Sequence, residues 1–354
     1  MAIAAIVVVV AAMLLLSAAA GRSATTAVPA LFVFGDSLVD DGNDNELSCL
    51  AKANFFPYGI DFPQGAATGR FCNGKTFVDA LCDLLGMDYL PPFTTTSSLL
   101  SGAGVNYASA AGGILDETGQ HLGERFSLSQ QVLNWESNLE TIRSQTRDVE
   151  GYLASSIAIM VLGSNDYINN YLLTSLYDSA NNYSPEDYAD LLINHYTRQI
   201  LALHSVGLRK FVLAGVGPLG CIPSVRASGS EGQCVDEVNQ MVGWFNQRLR
   251  SLVDQLNTNH PGATFIYGNT YNVIYDMLHN PNYYGFTVVD RGCCRLGADG
   301  TCEAYAEPCD RREQHVFWDA YHPTQAANLV LAQRAFNGTQ DHVYPLNLQH
   351  LAHL

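Results

Sequence analysis

Five short apolar runs recur along the chain: LFVFG (31–35), GVNYAS (104–109), IAIMVLG (157–163), KFVLAGV (210–216) and TFIYGN (264–269). Each is rich in Val, Ile, Phe and Ala and lacks the polar alternation of a half-exposed strand, so each reads as a strand covered on both faces. Helical patterns fill the gaps, in KTFVDALCDLLG, SLSQQVLNWESNLETIRSQ, SPEDYADLLINHYTRQILALHSVG and CVDEVNQMVGWFNQRLRSLVDQLNTNHPG. The third of these opens with Ser184 as a cap, Pro185 in the first turn and acids at Glu186 and Asp187, and stops at Gly207. Strand–helix alternation of this kind predicts an α/β fold of three layers, α/β/α, with right-handed crossovers. No low-complexity linker, repeat or long charge run interrupts it, so residues 29–350 are expected to form a single domain.

In such sheets, chemistry collects at the carboxyl ends of the strands. The first strand ends in Gly35-Asp36-Ser37. The second runs into ASAAGG, with Gly112 and Gly113, and the third ends in Gly163-Ser164-Asn165-Asp166. Far along the chain, FWDAYHPTQAANLVLAQRAF sets Asp319 and His322 three residues apart, with Pro323 suited to the first turn of a last helix. A serine hydroxyl needs a base to take its proton, and imidazole titrates near neutrality. A carboxylate on the other ring nitrogen fixes the tautomer. Oxyanion donors are then required. Candidates are the backbone N–H of Ser37, that of a glycine near 112, and the Asn165 amide. Taken singly, Ser37 and Asn165 read as turn residues and Asp319 with His322 as a capping pair. Their joint placement at strand ends and before a helix is what favours nucleophilic catalysis.

Rival motifs fail on spacing. The segment around Gly42 lacks the D-x-D-x-D and the twelfth-position Glu of a calcium loop. Val39 occupies the last glycine slot of a G-x-S-x-G elbow, and GVGPLG lacks the Lys-Ser/Thr of a phosphate loop. Asp40, Asp41 and Asp44 are expected to shape a solvated loop through side-chain-to-backbone bonds and, where they face the mouth of the site, to discourage anionic substrates.

Eighteen Lys+Arg against 34 Asp+Glu give a net charge of -16, which disfavours nucleic acid and anionic membrane partners. The uncharged run AIAAIVVVVAAMLLLSAAA, closed by Gly21 and Arg22, predicts a signal peptide over residues 1–22 and no stable membrane insertion after its cleavage; a retained anchor is the rival. In a secreted chain the nine cysteines can pair, leaving at least one over. Cys293, Cys294, Cys302 and Cys309 cluster, and Cys221 and Cys234 bracket a loop; zinc-type C-x2-C pairs are absent. The sequons at Asn182 and Asn337 fit the same route, although Pro185 follows the first. His195 and His204 share a predicted helix surface, and no histidine set suggests a metal.

The blocks FGDSLVDDGNDN, GVNYASAAGG, GSNDYINNY and FWDAYHPT stand in the order of the four blocks of plant GDSL esterase/lipases, within the SGNH hydrolase superfamily. The chain resembles that family over nearly its whole mature length, since PYGIDFP, TGRFCNGKTFVDAL, VGPLGCIP and YPLNLQHLAHL match as well. The resemblance implies a flavodoxin-like fold with a five-stranded parallel sheet. It places the nucleophile on Ser37, the charge-relay pair on Asp319 and His322, and the oxyanion donors on Asn165 and a block-two glycine, Gly112 or alternatively Gly113. It further implies a secreted, extracellular serine ester hydrolase without metal or cofactor, acting on small-molecule, lipid or acylated cell-wall esters. Acyl transfer and polysaccharide deacetylation use the same machinery in relatives, and a secreted binding protein with a dead site is the alternative of another class. Asp44 stands where Asn is usual, Cys72 where Ser is common and Arg295 where Gly usually follows the paired cysteines. None of these is one of the chemical positions.

Overall fold

The computed structural model describes residues 28–95 and 102–354; the expected signal peptide lies outside the described residues. Strands β1 (Leu31–Gly35), β2 (Gly104–Asn106), β3 (Ile157–Val161), β4 (Lys210–Ala214) and β5 (Thr264–Gly268) form a parallel sheet in the order β2-β1-β3-β4-β5. That is the flavodoxin-like order, whose reversal point lies between β1 and β3. A separate parallel pair joins β6 (Val288–Gly292) to β7 (His315–Phe317). β8 (Val343–Tyr344) then adds an antiparallel sixth strand at the β5 edge, with Val343 opposite Gly268. The five-stranded parallel sheet is as expected, and β8 is an antiparallel addition whose two residues carry no periodicity to read.

The principal helices are α1 (Phe77–Leu85), α2 (Leu128–Ser137), α3 (Pro185–Ser205), α4 (Asp236–Asn259), α5 (Thr270–His279) and α6 (Gln325–Asn337). Alternate strand residues serve opposite faces. Phe32, Met160, Phe211 and Leu213 pack with Trp135 of α2, Tyr196 of α3 and Phe245 of α4. Val33, Ile159, Val212 and Ile266 pack with Leu81 of α1 and Ala332 of α6. The cap on α3 is as the sequence predicts, with Ser184 accepting from the N–H of Asp187. On α6 the cap is Thr324, so Pro323 stands just before the helix and not in its first turn. The long pattern from Ser127 to Gln145 breaks at Asn138 into two helices, α2 and a shorter one over Leu139–Gln145.

Three disulfides close surface loops: Cys221–Cys234, Cys293–Cys309 and Cys294–Cys302. Cys49, Cys72 and Cys82 are unpaired. Among the described residues, no helix is long and apolar enough to cross a membrane.

Candidate active site

β1 ends at Gly35, and the chain folds at once into a tight turn. The N–H groups of Val39 and Asp40 donate to the Asp36 carbonyl at 3.1 and 3.0 Å, and Leu38 N–H donates to Asp36 Oδ1 at 3.0 Å. A Cβ on residue 35 would lie 2.2 Å from Val39 Cγ2, so the turn requires glycine. β2 stops at Asn106, three residues short of the predicted Ser109, although Tyr107 N–H still donates to Val33 O at 2.8 Å and Ser109 N–H to Gly35 O at 3.1 Å. The Gln131 side chain completes this edge: Gly35 N–H donates to its Oε1 and its Nε2 donates to Gly35 O, both at 2.8 Å, sharing that oxygen with Ser109 N–H. Ser37 is thereby set at the sheet's reversal point.

His322 closes on it from the loop before α6. Its Nε2 lies 2.8 Å from Ser37 Oγ, and its Nδ1 lies 2.9 and 2.8 Å from the two oxygens of Asp319. An ionised carboxylate only accepts, so Nδ1 carries the hydrogen and Nε2 is left to accept from the serine hydroxyl. Asp319 is fully buried but well supplied. Oδ1 also accepts the N–H groups of Tyr321 and His322, and Oδ2 accepts the Tyr58 hydroxyl at 2.7 Å. Tyr58 in turn accepts Cys302 N–H at 3.0 Å, and Phe71 lies against the imidazole with ring centres 4.9 Å apart. Tyr58 is absent from the sequence reading, because a lone tyrosine in PYGIDFP carries no mark of its partner 261 residues away.

Gly163, at φ 122, turns β3 into the short helical segment that carries Asn165. Asn165 Nδ2 donates to Gly112 O at 3.0 Å, and its Oδ1 accepts from Asn169 at 2.7 Å. That fixes the amide with one Nδ2 hydrogen to spare. The Ser37 N–H has no acceptor among the described residues. Gly112 differs from expectation. Its N–H is donated to the Ser109 carbonyl at 3.1 Å, so it serves as the latch for Asn165 through its oxygen. Ala110 N–H is likewise engaged, by Asp40. Ala110 and Ala111 are the block-two residues lining the cleft, and Ala111, held at φ 60, has its N–H free of acceptors among the described residues.

The acidic neighbours of Ser37 correct a second expectation. Asp40, Asp41 and Asp44 are buried, not solvated, and none screens the mouth. The expected backbone bonds exist at Asp40, whose Oδ1 accepts Gly42 and Asn43 N–H at 2.8 Å each. Asp44 accepts the Ser109 hydroxyl at 2.5 Å, tying the first block to the second. Burial pushes the Asp40 carboxyl up to about 6 and those of Asp41 and Asp44 well above the carboxylate range. Arg70 opposes the shift at Asp41. Asp36, also raised by burial, to about 7, keeps one oxygen without a partner. Asp166 anchors the second block by accepting from Ile114 N–H, Leu115 N–H and the Thr118 hydroxyl.

Ser37, Ala111, Asn165 and His322 line a largely apolar cavity of about 570 Å³, whose lining also includes the exposed Leu50 and His121 and the half-buried Leu122 and Leu173. The one metal-spaced cluster among the described residues, Cys293, Cys309 and His315, has its two sulfurs bonded to each other.

A family model described as GDSL-like Lipase/Acylhydrolase matches residues 31–335. GDSL esterase/lipase At1g71250 of Arabidopsis thaliana is 54% identical over 333 residues, covering 92% of this chain and 89% of the relative. GDSL esterase/lipase At5g08460 of the same plant is 53% identical over 348 residues, covering 94% and 90%. GDSL esterase/lipase 7, again from Arabidopsis thaliana, is 47% identical over 346 residues, covering 94% of each.

Proposed function

This chain belongs to the GDSL-like lipase/acylhydrolase family and is an ester-bond hydrolase, and from that premise we propose that it cleaves carboxylic esters through an acyl-enzyme on Ser37. The observation that carries the reading is the unbroken bonded line from Ser37 Oγ through His322 to Asp319. His322 Nε2 takes the hydroxyl proton as Oγ bonds to the ester carbonyl carbon. The resulting oxyanion is met by the Ser37 N–H, the spare Asn165 hydrogen and a block-two backbone N–H, for which Ala111 is better placed than Gly112. Collapse breaks the carbon–oxygen bond to the alcohol, which leaves with the proton from His322. Water then attacks the acyl carbon and gives its proton to His322, the acid departs, and Ser37 regains its hydrogen.

The substrates are small-molecule or lipid esters. Residues 1–22 act as a cleaved signal peptide, residues 29–350 work as one domain, and the protein is delivered outside the cell, a setting that suits its three disulfides. The exposed Asn182 and Asn337 are the glycan acceptors.

Ser37→Ala is expected to abolish covalent labelling by a fluorophosphonate while leaving the circular dichroism spectrum unchanged. Asn165→Ala is expected to lower kcat by about 10²–10³ with KM little altered. Labelling of Ser37→Ala at the wild-type rate would overturn the assignment.

A further inference from the structure

The cavity at Ser37 does not stop at the cleft; it continues beneath α6, with the sheet as its floor. Gly35 pairs with Val161, and Met160 with Leu213, so Val161 and Ala214 follow in the same register. Ala214 pairs with Gly268, and Gly268 with Val343. The row Gly35-Val161-Ala214-Gly268-Val343 therefore crosses from the strand that presents Ser37 to the β8 edge. At about 4.8 Å per strand the crossing is about 19 Å, the reach of a long-chain fatty acyl group. Ala327, Leu331 and Ala335 recur every four residues on α6, forming one stripe that roofs the same cavity.

Burial points to the same void. Val161 sits in the middle of the sheet, between β1 and β4, yet it is only half-buried, as are Leu331 and Ala335 on α6. A central strand of a doubly wound sheet is normally covered on both faces, and protein interiors normally close such gaps. Here small side chains on floor and roof keep the gap open, with apolar walls that favour hydrocarbon over water.

We propose that this channel holds the acyl chain of the substrate and makes the enzyme selective for long-chain acyl esters. The assignment rests on the acyl-enzyme reading of Ser37. In that sequence the alcohol leaves first and needs an open path, whereas the acyl group stays attached through both steps. The covered channel suits the group that stays, and the open side of the cleft suits the group that leaves. Each methylene buried along the channel strengthens binding roughly two- to fourfold.

The test compares p-nitrophenyl acetate, butyrate, laurate and palmitate on the wild type and on two variants that fill the channel from opposite walls, Ala214→Phe and Ala335→Phe. Wild-type kcat/KM is expected to rise with acyl length, and the laurate-to-acetate ratio is expected to fall at least tenfold in either variant. A flat or acetyl-favouring length profile, or an unchanged ratio in both variants, overturns the proposal. So does a selective loss on dodecyl acetate, which would place the alcohol chain in the channel. A second arm needs no catalysis: cis-parinaric acid should bind Ser37→Ala saturably, and at least tenfold more weakly once Ala214→Phe is added. Saturable binding weakened in this way, in a wild type that cleaves no ester, would sink the acyl-enzyme reading and leave the channel standing. Ester cleavage without parinaric binding would sink the channel alone.

Discussion

Asp36 and Ser37 are adjacent, yet the structure asks opposite things of them. Ser37 turns toward His322, while the Asp36 carboxyl is buried beside it with one oxygen accepting from Leu38 and the other unpartnered. Burial holds its pKa near 7, against about 3.9 in an unfolded chain. Between about pH 4 and 7 the unfolded chain has released this proton while the folded chain retains it, so stability falls as pH rises through that window. The loss from this group amounts to at most about 4 kcal/mol, complete above its folded pKa. Asp36→Asn keeps the oxygen that receives Leu38 N–H and removes the titration. Urea midpoints of the wild type are therefore expected to drop between pH 5 and 8, and those of Asp36→Asn to drop less. A residual slope remains, because Asp40 and Asp166 are also raised by burial, each to about 6. Equal slopes in the two proteins would show that Asp36 is not held protonated.

Among the elements, α2 has a duty its amphipathic pattern does not advertise. Gln131 lies on its buried face and bonds both backbone groups of Gly35, taking the N–H and sharing the carbonyl with Ser109 N–H. Gln131→Leu keeps most of the volume but strands the Gly35 N–H in the core, at a cost of about 1–3 kcal/mol. Because Gly35 sets the turn that aims Ser37, kcat should also drop at temperatures where the variant is fully folded. Unfolding curves and single-turnover acylation, measured together, check both parts; a stability loss with unchanged acylation would reduce Gln131 to a packing role. This element shows where sequence reading stops. Apolar runs locate the five parallel strands because burial on both faces demands such residues. They do not say where one strand ends relative to its neighbour, so Ser109 reads as strand and Gln131 as an ordinary helix residue. Likewise Asp40, Asp41 and Asp44 look like turn chemistry, and Asp40 is, but composition does not report that Arg70 faces Asp41 or that the second block reaches Asp44 through Ser109.

At the scale of the whole molecule, the site is assembled from segments far apart in the chain, and what the sequence reveals of it differs by segment. Ser37, Asn165, Asp319 and His322 were legible because each sits at a strand end or before a helix, where backbone geometry exposes a side chain. A glycine pair signals backbone freedom without saying which N–H is already spent, so the bond from Gly112 N–H to the Ser109 carbonyl is not legible in the sequence. Tyr58 was invisible because its role depends on Cys302 and Asp319 arriving from elsewhere. That last dependence separates the disulfides by function. Cys294–Cys302 and Cys221–Cys234 span 8 and 13 residues. Loop-closure entropy therefore gives them similar stabilisation, about 2.5 and 3 kcal/mol. The second touches the Asp319–His322 segment through Ser224 N–H on the Ala320 carbonyl, whereas the first reaches Asp319 itself by way of Tyr58. Its loop provides Cys302 N–H to Tyr58, receives Ala320 N–H at the Gly300 carbonyl, and accepts the Tyr321 hydroxyl at Asp299. Cys294→Ser/Cys302→Ser and Cys221→Ser/Cys234→Ser are accordingly expected to lose comparable stability in chemical denaturation. In the folded state the first should lose roughly tenfold in kcat, as Tyr58 releases Asp319 and the imidazole loosens, while the second stays within about twofold. Equal kcat losses in the two double variants would mean that Tyr58 and its loop only support the fold, and that Asp319 is oriented by its own backbone contacts.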